Sequence, residues 1–313
     1  MTARPLVSIV MPTFDRLQFL PAAVESIFAQ TLRDWELIVA DDGSGARTLE
    51  YLAALERDDR VHVLRRKHVG IPSAVRNAGI AAARAPLVAF MDSDDVWPPA
   101  KLEKQLAEMR AREECRWSYT GFVIVDANDV PFPSEAHRRF TPHSGQIFEQ
   151  VVRGTASIRT SSVIASTDLL RDIGGFDERI DCAEDCDLYA RLALRSPACV
   201  VAEPLVRMRR HRPDSAGTIG ASHAGREYSL RKLAAEQSGP RRAVLKEELG
   251  RNAWLHAAVM ARHLGMRRAV ATFASSLRFG WRHPRWWRGA ARAAAAACVR
   301  RLPAVGRWSS RTA

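Results

Sequence analysis

The stretch Pro86-Leu87-Val88-Ala89-Phe90-Met91-Asp92-Ser93-Asp94-Asp95-Val96-Trp97 decides how this sequence folds. Its first half is a short, unbroken apolar run, the pattern of a strand buried on both faces in a parallel sheet. Its second half places three carboxylates at the carboxyl end of that strand. Such groups repel one another and raise one another's pKa unless a cation lies among them. Asp-x-Asp spacing gathers oxygen ligands, which suit hard cations such as Mg²⁺ or Mn²⁺. Open α/β sheets also bind their ligands at the carboxyl ends of strands. The stretch therefore points to a metal site holding a phosphorylated substrate. The plainer alternative is an Asp-rich turn ahead of a helix that starts at Pro98-Pro99.

Upstream, the same grammar repeats. Val7–Met11 is a second buried strand, ended by Pro12-Thr13, and Leu20, Val24, Ile27 and Phe28 mark one face of a helix that Pro21 can begin. Trp35–Ala40 is a third strand, closed by Asp41-Asp42-Gly43-Ser44. Val61–Leu64 is a fourth, followed by a Gly/Pro loop and a helix around Ala74–Ala83. Strand and helix alternating at this spacing predict a doubly wound, mostly parallel α/β sheet. Leu102, Leu106 and Met109 mark the next helix. Downstream, strands are expected at Trp117–Val125, Ser161–Ala165, Cys199–Ala202 and Leu205–Arg210, with helices at Thr167–Arg171 and 184–195. Residues 131–146, rich in Pro, His and Ser, read as a loop.

Composition excludes some classes. The 313 residues are 47% hydrophobic and 26% charged, values of an ordinary folded protein. No apolar run approaches the length of a membrane-spanning helix, and no secretory signal opens the sequence. Five scattered cysteines suggest reduced thiols and a cytoplasmic setting. The net charge of +12 is uneven. Residues 1–225 hold 28 Lys and Arg against 31 Asp and Glu, and residues 226–313 hold 19 against 4. The expected division is 1–220 as the main domain (1–115 nucleotide-binding, 116–220 acceptor-binding) and 221–313 as a basic helical appendage.

Read together, several segments resemble the family 2 glycosyltransferases of the GT-A fold. They are Val7–Arg16, Glu36–Ser44, Ala74–Gly79, Phe90–Asp95, Gly174–Glu178 and Glu184–Leu188, in that order. The resemblance covers residues 5–212. It implies transfer of a sugar from a nucleotide-diphosphate donor to an acceptor hydroxyl, with inversion at the anomeric carbon. It implies a base-binding acid at Asp41-Asp42, with Pro12, Thr13 and Phe14 lining the same pocket. It also implies Asp94 as a direct ligand of a divalent metal, Asp92 as a ribose or metal contact and His211 beside the metal. The processive members' Gln-x-x-Arg-Trp motif is absent, which favours transfer of one sugar at a time.

Residue chemistry supplies the rest of the site. Arg76 can neutralise the carboxylate cluster or grip a phosphate with its planar fork, or be a solvated helix arginine. Glu184-Asp185 opens a helix whose partial positive charge keeps a carboxylate ionised. By resemblance Asp185 is the general base and Glu184 orients the acceptor. The bland alternative is acidic residues complementing a helix dipole.

The C-terminal region carries an apolar stripe (Val270, Phe273, Leu277, Trp281) with Arg267, Arg268, Arg278 and Arg282 nearby. Tryptophan and arginine on short amphipathic helices suit an anionic membrane surface. A peripheral location at the inner face of the plasma membrane, beside a glycan or lipid-linked acceptor, is one expectation. Packing on the main domain is the other. No nucleic-acid motif accompanies the charge. Two further functions stay open at this stage. A nucleotidyltransferase would share the half-sheet, but Pro12-Thr13-Phe14-Asp15 stands where its Gly-rich phosphate loop belongs. A catalytically inactive binding protein would not need the acids at Asp92, Asp94 and Asp185.

Overall fold

The computed structural model describes residues 4–132, 140–210 and 216–264. The chain forms two compact units, Met1–Pro213 and Asp214–Ala313.

The first unit is built on one seven-stranded sheet. Its elements are β1 (Val7–Thr13), α1 (Leu20–Phe28), β2 (Trp35–Asp41), α2 (Ala46–Leu55), β3 (Val61–Arg65), α3 (Pro72–Ala82) and β4 (Leu87–Phe90). These are followed by α4 (Lys101–Ala111), β5 (Trp117–Val125), α5 (Phe148–Arg153), a 3-10 turn (Thr160–Ser162), β6 (Ile164–Ser166), α6 (Thr167–Asp172), α7 (Glu184–Arg195) and β7 (Ala198–Arg209). The spatial order is β3-β2-β1-β4-β6-β5-β7. Strands β3, β2, β1 and β4 run parallel, β6 is antiparallel to both its neighbours, and β5 and β7 pair in parallel.

The core explains the apolar runs. Ile9, Met11, Leu37, Val39, Ala89 and Met91 are buried on the sheet, with Leu20, Val24 and Ile27 of α1 packed against them. Burial on both faces leaves no polar alternation to read along these strands.

The order around β1 positions the site. From β1 the chain winds outward to β2 and β3, then returns to place β4 on the other side of β1. Connections leaving β1 and β4 therefore diverge, opening a crevice beyond their carboxyl ends. Thr13 ends β1 and Phe90 ends β4, so Pro12–Phe14 and Asp92–Asp94 face that crevice from its two sides.

Two expectations change in the second half. Ser161–Ala165 is a 3-10 turn followed by a strand beginning only at Ile164. The segments Cys199–Ala202 and Leu205–Arg210 belong to one strand, β7, whose pairing with β5 slips at Gly121. A Cβ at Gly121 would stand 2.8 Å from the carbonyls of Ala202 and Glu203. Glycine there lets the β7 backbone pass close by around Pro204, so the strand bulges rather than ends. Helices α2 and α5 were not expected from the sequence.

The second unit contains α8 (Ala216–Glu236) and α9 (Gly239–Leu264). Leu230, Leu233 and Ala234 of α8 and Leu245, Leu249 and Ala253 of α9 are buried. Side-chain pairs His223–Asn252 and Arg226–Glu248 fix an antiparallel register. No helix among the described residues is long and apolar enough to cross a membrane. The stripe from Val270 to Trp281, its arginines and the tryptophans beyond it lie outside the described residues.

Candidate active site

A cavity of about 380 Å³ lies in the crevice. The end of β1 and the loop after it contribute Pro12, Thr13, Phe14 and Arg16, and the loop after β4 contributes Asp92, Ser93 and Asp94. Asp42 enters from the end of β2, His68 and Gly70 from the loop after β3, and Arg76 from α3. Thr13 is buried, and its hydroxyl has no hydrogen-bond partner among the described residues.

The paired acids after β2 divide their work. Asp41 is 1% exposed and accepts the Ser44 N–H with both carboxylate oxygens, at 3.3 and 3.2 Å. It does not line the cavity, so it serves the turn. Asp42 lines the cavity and draws in the next loop, accepting from Val69 N at 3.0 Å and Gly70 N at 2.9 Å. His68 Nδ1 lies 2.9 Å from the Asp42 carbonyl and 3.0 Å from its Oδ2. The His68 ring stacks on Phe14 with centroids 4.2 Å apart. Both rings stand partly exposed on the cavity wall.

Arg76 is the hub of the charged groups. Its Nη2 donates to Asp92 Oδ1 at 2.7 Å and its Nη1 to Glu184 Oε1 at 2.8 Å. Burial alone would lower its pKa, but the charges of Asp92, Glu184 and Asp185 outweigh that and raise it. Glu184 is pushed above the usual carboxylate range by its burial, and the neighbouring Asp185 charge adds to this against the opposing pull of Arg76. One cation thus holds together three acids that would otherwise repel. Neither Glu184 nor Asp185 lines the cavity; Arg76 is what joins their helix to it.

Glu184 and Asp185 open α7, and Asp185 Oδ1 accepts the Cys186 N–H at 2.7 Å. The residue before them, Ala183, has φ of 68°, in the left-handed region that favours glycine. Strain of this kind directly ahead of two acids is typical of functional sites. The adjoining loop is pinned by Asn77, the neighbour of Arg76. Asn77 Nδ2 donates to Phe176 O at 2.9 Å and to Glu178 Oε1 at 2.8 Å, and its Oδ1 accepts Phe176 N at 2.8 Å. Gly175, at φ of 63°, makes this approach feasible, because a Cβ there would lie 2.4 Å from Asn77 Oδ1.

The three acids after β4 also separate. Asp92 and Asp94 face the cavity, and Arg16 Nη1 lies 3.7 Å from Asp94 Oδ2. Asp95 turns inward, 3% exposed, accepting from Arg209 N at 3.0 Å and from the Ser161 hydroxyl. Burial, then the charges of Asp92 and Asp94, push its pKa well above the usual range. Asp95 therefore anchors the loop. Arg209 reinforces it, with Nη1 donating to Asp94 O at 3.2 Å.

Among the described residues no three His, Cys, Asp or Glu side chains converge as a metal cage, and His211 lies outside those residues. Asp92 and Asp94 nevertheless offer two carboxylates to one cavity. Mg²⁺-type ions are commonly held by one or two carboxylates, with substrate phosphates and waters completing the octahedron. The donor set fits a hard cation shared with a diphosphate.

Sequence reading singled out neither His68 nor Arg209, and it gave Arg16 and Asn77 no role although both sit in motif segments. Alternation along β7 would have put Arg207 and Arg209 on the face opposite Val206 and Met208. Nothing local marks His68 beyond its place two residues before Gly70.

Residues 8–151 match the sequence model described as Glycosyl transferase family 2. A Rickettsia felis protein described as an uncharacterized glycosyltransferase is 30% identical over 203 residues, 65% of this chain and 33% of that protein. The Escherichia coli protein named UDP-Glc:alpha-D-GlcNAc-diphosphoundecaprenol beta-1,3-glucosyltransferase WfgD is 31% identical over 125 residues, 40% of this chain and 49% of that protein. The chain thus spans a third to a half of the length of these relatives. Among solved structures, the mannosyltransferase PcManGT of Pyrobaculum calidifontis, in complex with GDP-Man and Mn²⁺, superposes with a TM-score of 0.60 at 17% identity. It covers 99% of this chain and 89% of that one, which is a likeness of fold. The mostly parallel sheet has the GT-A arrangement, and residues 8–151, which carry five of its seven strands, are similar to glycosyl transferase family 2.

Proposed function

We propose that this protein is an inverting, metal-dependent glycosyltransferase that moves one sugar from a nucleotide-diphosphate sugar to an acceptor hydroxyl, in the synthesis of cell-surface polysaccharide or glycolipid. The observation that carries this reading is the two-way grip of Arg76, which ties Asp92 of the cavity to Glu184 at the start of α7. In this reading a donor-side acid and an acceptor-side helix share that cation.

In this reading Pro12, Thr13, Phe14 and Asp42 hold the nucleoside, and Arg76 offsets the charge of the diphosphate. Asp92 and Asp94 would hold a divalent Mg²⁺ or Mn²⁺ ion, which would supply Lewis-acid neutralisation of the leaving group. Asp185 takes the proton of the attacking hydroxyl while that oxygen bonds to the anomeric carbon, and Glu184 orients the acceptor. The nucleoside diphosphate departs from the opposite face of the sugar, so the configuration inverts. The diphosphoundecaprenol-linked sugar in the WfgD name and the basic residues 226–313 favour a lipid-linked acceptor at the cytoplasmic face of a membrane.

A donor screen tests this. Nucleotide sugars are assayed for Mn²⁺-dependent hydrolysis and for thermal stabilisation of the full chain. Asp185→Asn should bind donor as the native protein does while transferring about 10²–10⁴-fold more slowly. Transfer at the native rate by Asp185→Asn would remove the base assignment.

A further inference from the structure

Arg159 is a half-buried cation to which the chemistry above gives no task. Its Cζ stands 5.0 Å from the centre of the Phe122 ring. Among the described residues its Nε, though buried, has no hydrogen-bond partner, and its guanidinium has no carboxylate. A charge withdrawn from water with only an aromatic face beside it is incompletely compensated. The surroundings put this cation at the cleft. Ala89 of β4 and Ser118 of β5 both pair with Ile164 of β6, so they stand level across the sheet. Phe122 lies further along β5, past the level at which β4 ends at Phe90, and so at the end of the sheet where the cavity opens. Arg159 also leads directly into the 3-10 turn Thr160–Ser162, which touches both the Asp92 loop and α7. Ser161 Oγ accepts from Asp92 N at 3.0 Å. The hydroxyl of Tyr189, one helical turn after Asp185, donates to Thr160 Oγ1 at 3.2 Å.

We propose that Arg159 binds the acceptor through a phosphate, the group that links the accepting sugar to its carrier. A planar guanidinium seats a phosphate through two parallel N–H bonds, and the Phe122 ring fixes the plane of that fork from one side. The donor's own phosphates are served by Arg76 and by an ion at Asp92 and Asp94, on the β1 and β4 side of the cleft. Arg159 stands on the β5 side, next to the turn that meets α7, where the acceptor enters in the transferase reading. The acceptor therefore supplies the negative charge that this cation lacks, and a neutral glycan leaves it unpaired. The inference rests on the transferase reading and narrows its acceptor to a phosphate-linked sugar. The carboxylate of an acidic sugar has a similar fork geometry and is the competitor that the experiment must separate.

The test supplies the full chain with Mn²⁺, the nucleotide sugar selected by the donor screen, and a panel of acceptors: sugar 1-phosphates, the methyl glycosides of the same sugars and the corresponding uronic acids. Sugar 1-phosphates should show a KM about 10-fold or more below that of the methyl glycosides. Arg159→Ala should raise the KM for sugar 1-phosphates by about 10–100-fold while leaving kcat, donor binding and the KM for methyl glycosides unchanged. Arg159→Lys keeps the charge without the fork and should fall between the two. A purely structural role would instead lower donor binding, or kcat with every acceptor alike. That pattern, a preference for methyl glycosides or uronic acids, or an unchanged KM in Arg159→Ala would overturn the inference, as would donor hydrolysis with transfer to none of the panel. Each of these leaves the transferase reading standing. Turnover of no nucleotide sugar would bring down both.

Discussion

The guanidinium of Arg76 lies 2.8 Å from the carboxylate of Glu184, a residue 108 positions later in the chain, while its other nitrogen holds Asp92. Helices α3 and α7 thus share one buried cation. Removing it by Arg76→Ala leaves Asp92, Glu184 and Asp185 facing each other without a counter-charge. A loss of about 3 kcal/mol in stability is expected from breaking such a pair, along with loss of donor binding. Arg76→Lys keeps the charge but lacks the fork that reaches both partners, so it should fall between the two in both measurements. Chemical denaturation and donor titration read these outcomes.

The inward turn of Asp95 separates it from its neighbours in the metal question. Asp94→Asn should abolish the Mn²⁺ dependence of nucleotide binding. Asp95→Asn, which keeps the shape of a carboxyl group whose pKa burial and the adjacent charges push upward, should keep that dependence. Titration of UDP with and without Mn²⁺, and after chelation, distinguishes the two. Equal loss in both variants would return Asp95 to the ligand set.

Lys101 opens α4 fully buried, its Nζ 3.8 Å from the centre of the Trp97 ring and without a hydrogen-bond partner among the described residues. Burial pushes its pKa well below the usual lysine value. The unfolded chain therefore binds this proton more readily than the folded one, and the penalty grows as pH falls below the ordinary lysine pKa. Lys101→Met keeps the unbranched shape and removes the polar group. It should raise stability at pH 7 by about 1–3 kcal/mol, seen as a higher denaturation midpoint with unchanged slope.

Glu36, 1% exposed on β2, accepts from the Ser8 hydroxyl at 2.6 Å, Arg84 N at 2.9 Å and Arg84 Nε at 2.7 Å. Burial acts to raise its pKa, but these bonds outweigh it and hold the carboxyl below its usual value. Its stabilising contribution is therefore complete above the unfolded-state pKa and lost as pH falls through the lower folded-state value. Glu36→Gln should be about 1–3 kcal/mol less stable at pH 7, with the difference from the native protein closing in acid. A constant difference down to pH 3 would show that the pairing is not electrostatic.

What could be read from the sequence was what is local. The strands from Val7, Trp35 and Leu87 announce themselves because burial on both faces demands mostly apolar runs, Asp92–Asp94 sit where a strand end puts side chains into a cleft, and Glu184-Asp185 sit where a helix begins. The β7 bulge was not legible, since it depends on Gly121 lying opposite Pro204 across a pairing that no local pattern records. The choice between Asp41 and Asp42 was equally hidden. Adjacent residues on a strand end point in opposite directions, and only the return of the Val69-Gly70 backbone decides which one faces the cavity. His68 escaped notice for the same reason, as its stacking on Phe14 joins loops from two different strands.

The neighbours Arg76 and Asn77, one turn into α3, have a consequence for engineering. Asn77 clamps the chain at Phe176 and Arg76 clamps it at Glu184, so residues 177–183 form a segment tethered to a single rigid helix at both of its ends. Its exposed positions, Arg179 and Asp181 among them, can be exchanged while Ile180 stays in the core and the anchoring points stay in register with the strands. Under the transferase reading, this one cassette is where acceptor preference can be altered, provided Gly175 and the buried Ile180 are left untouched.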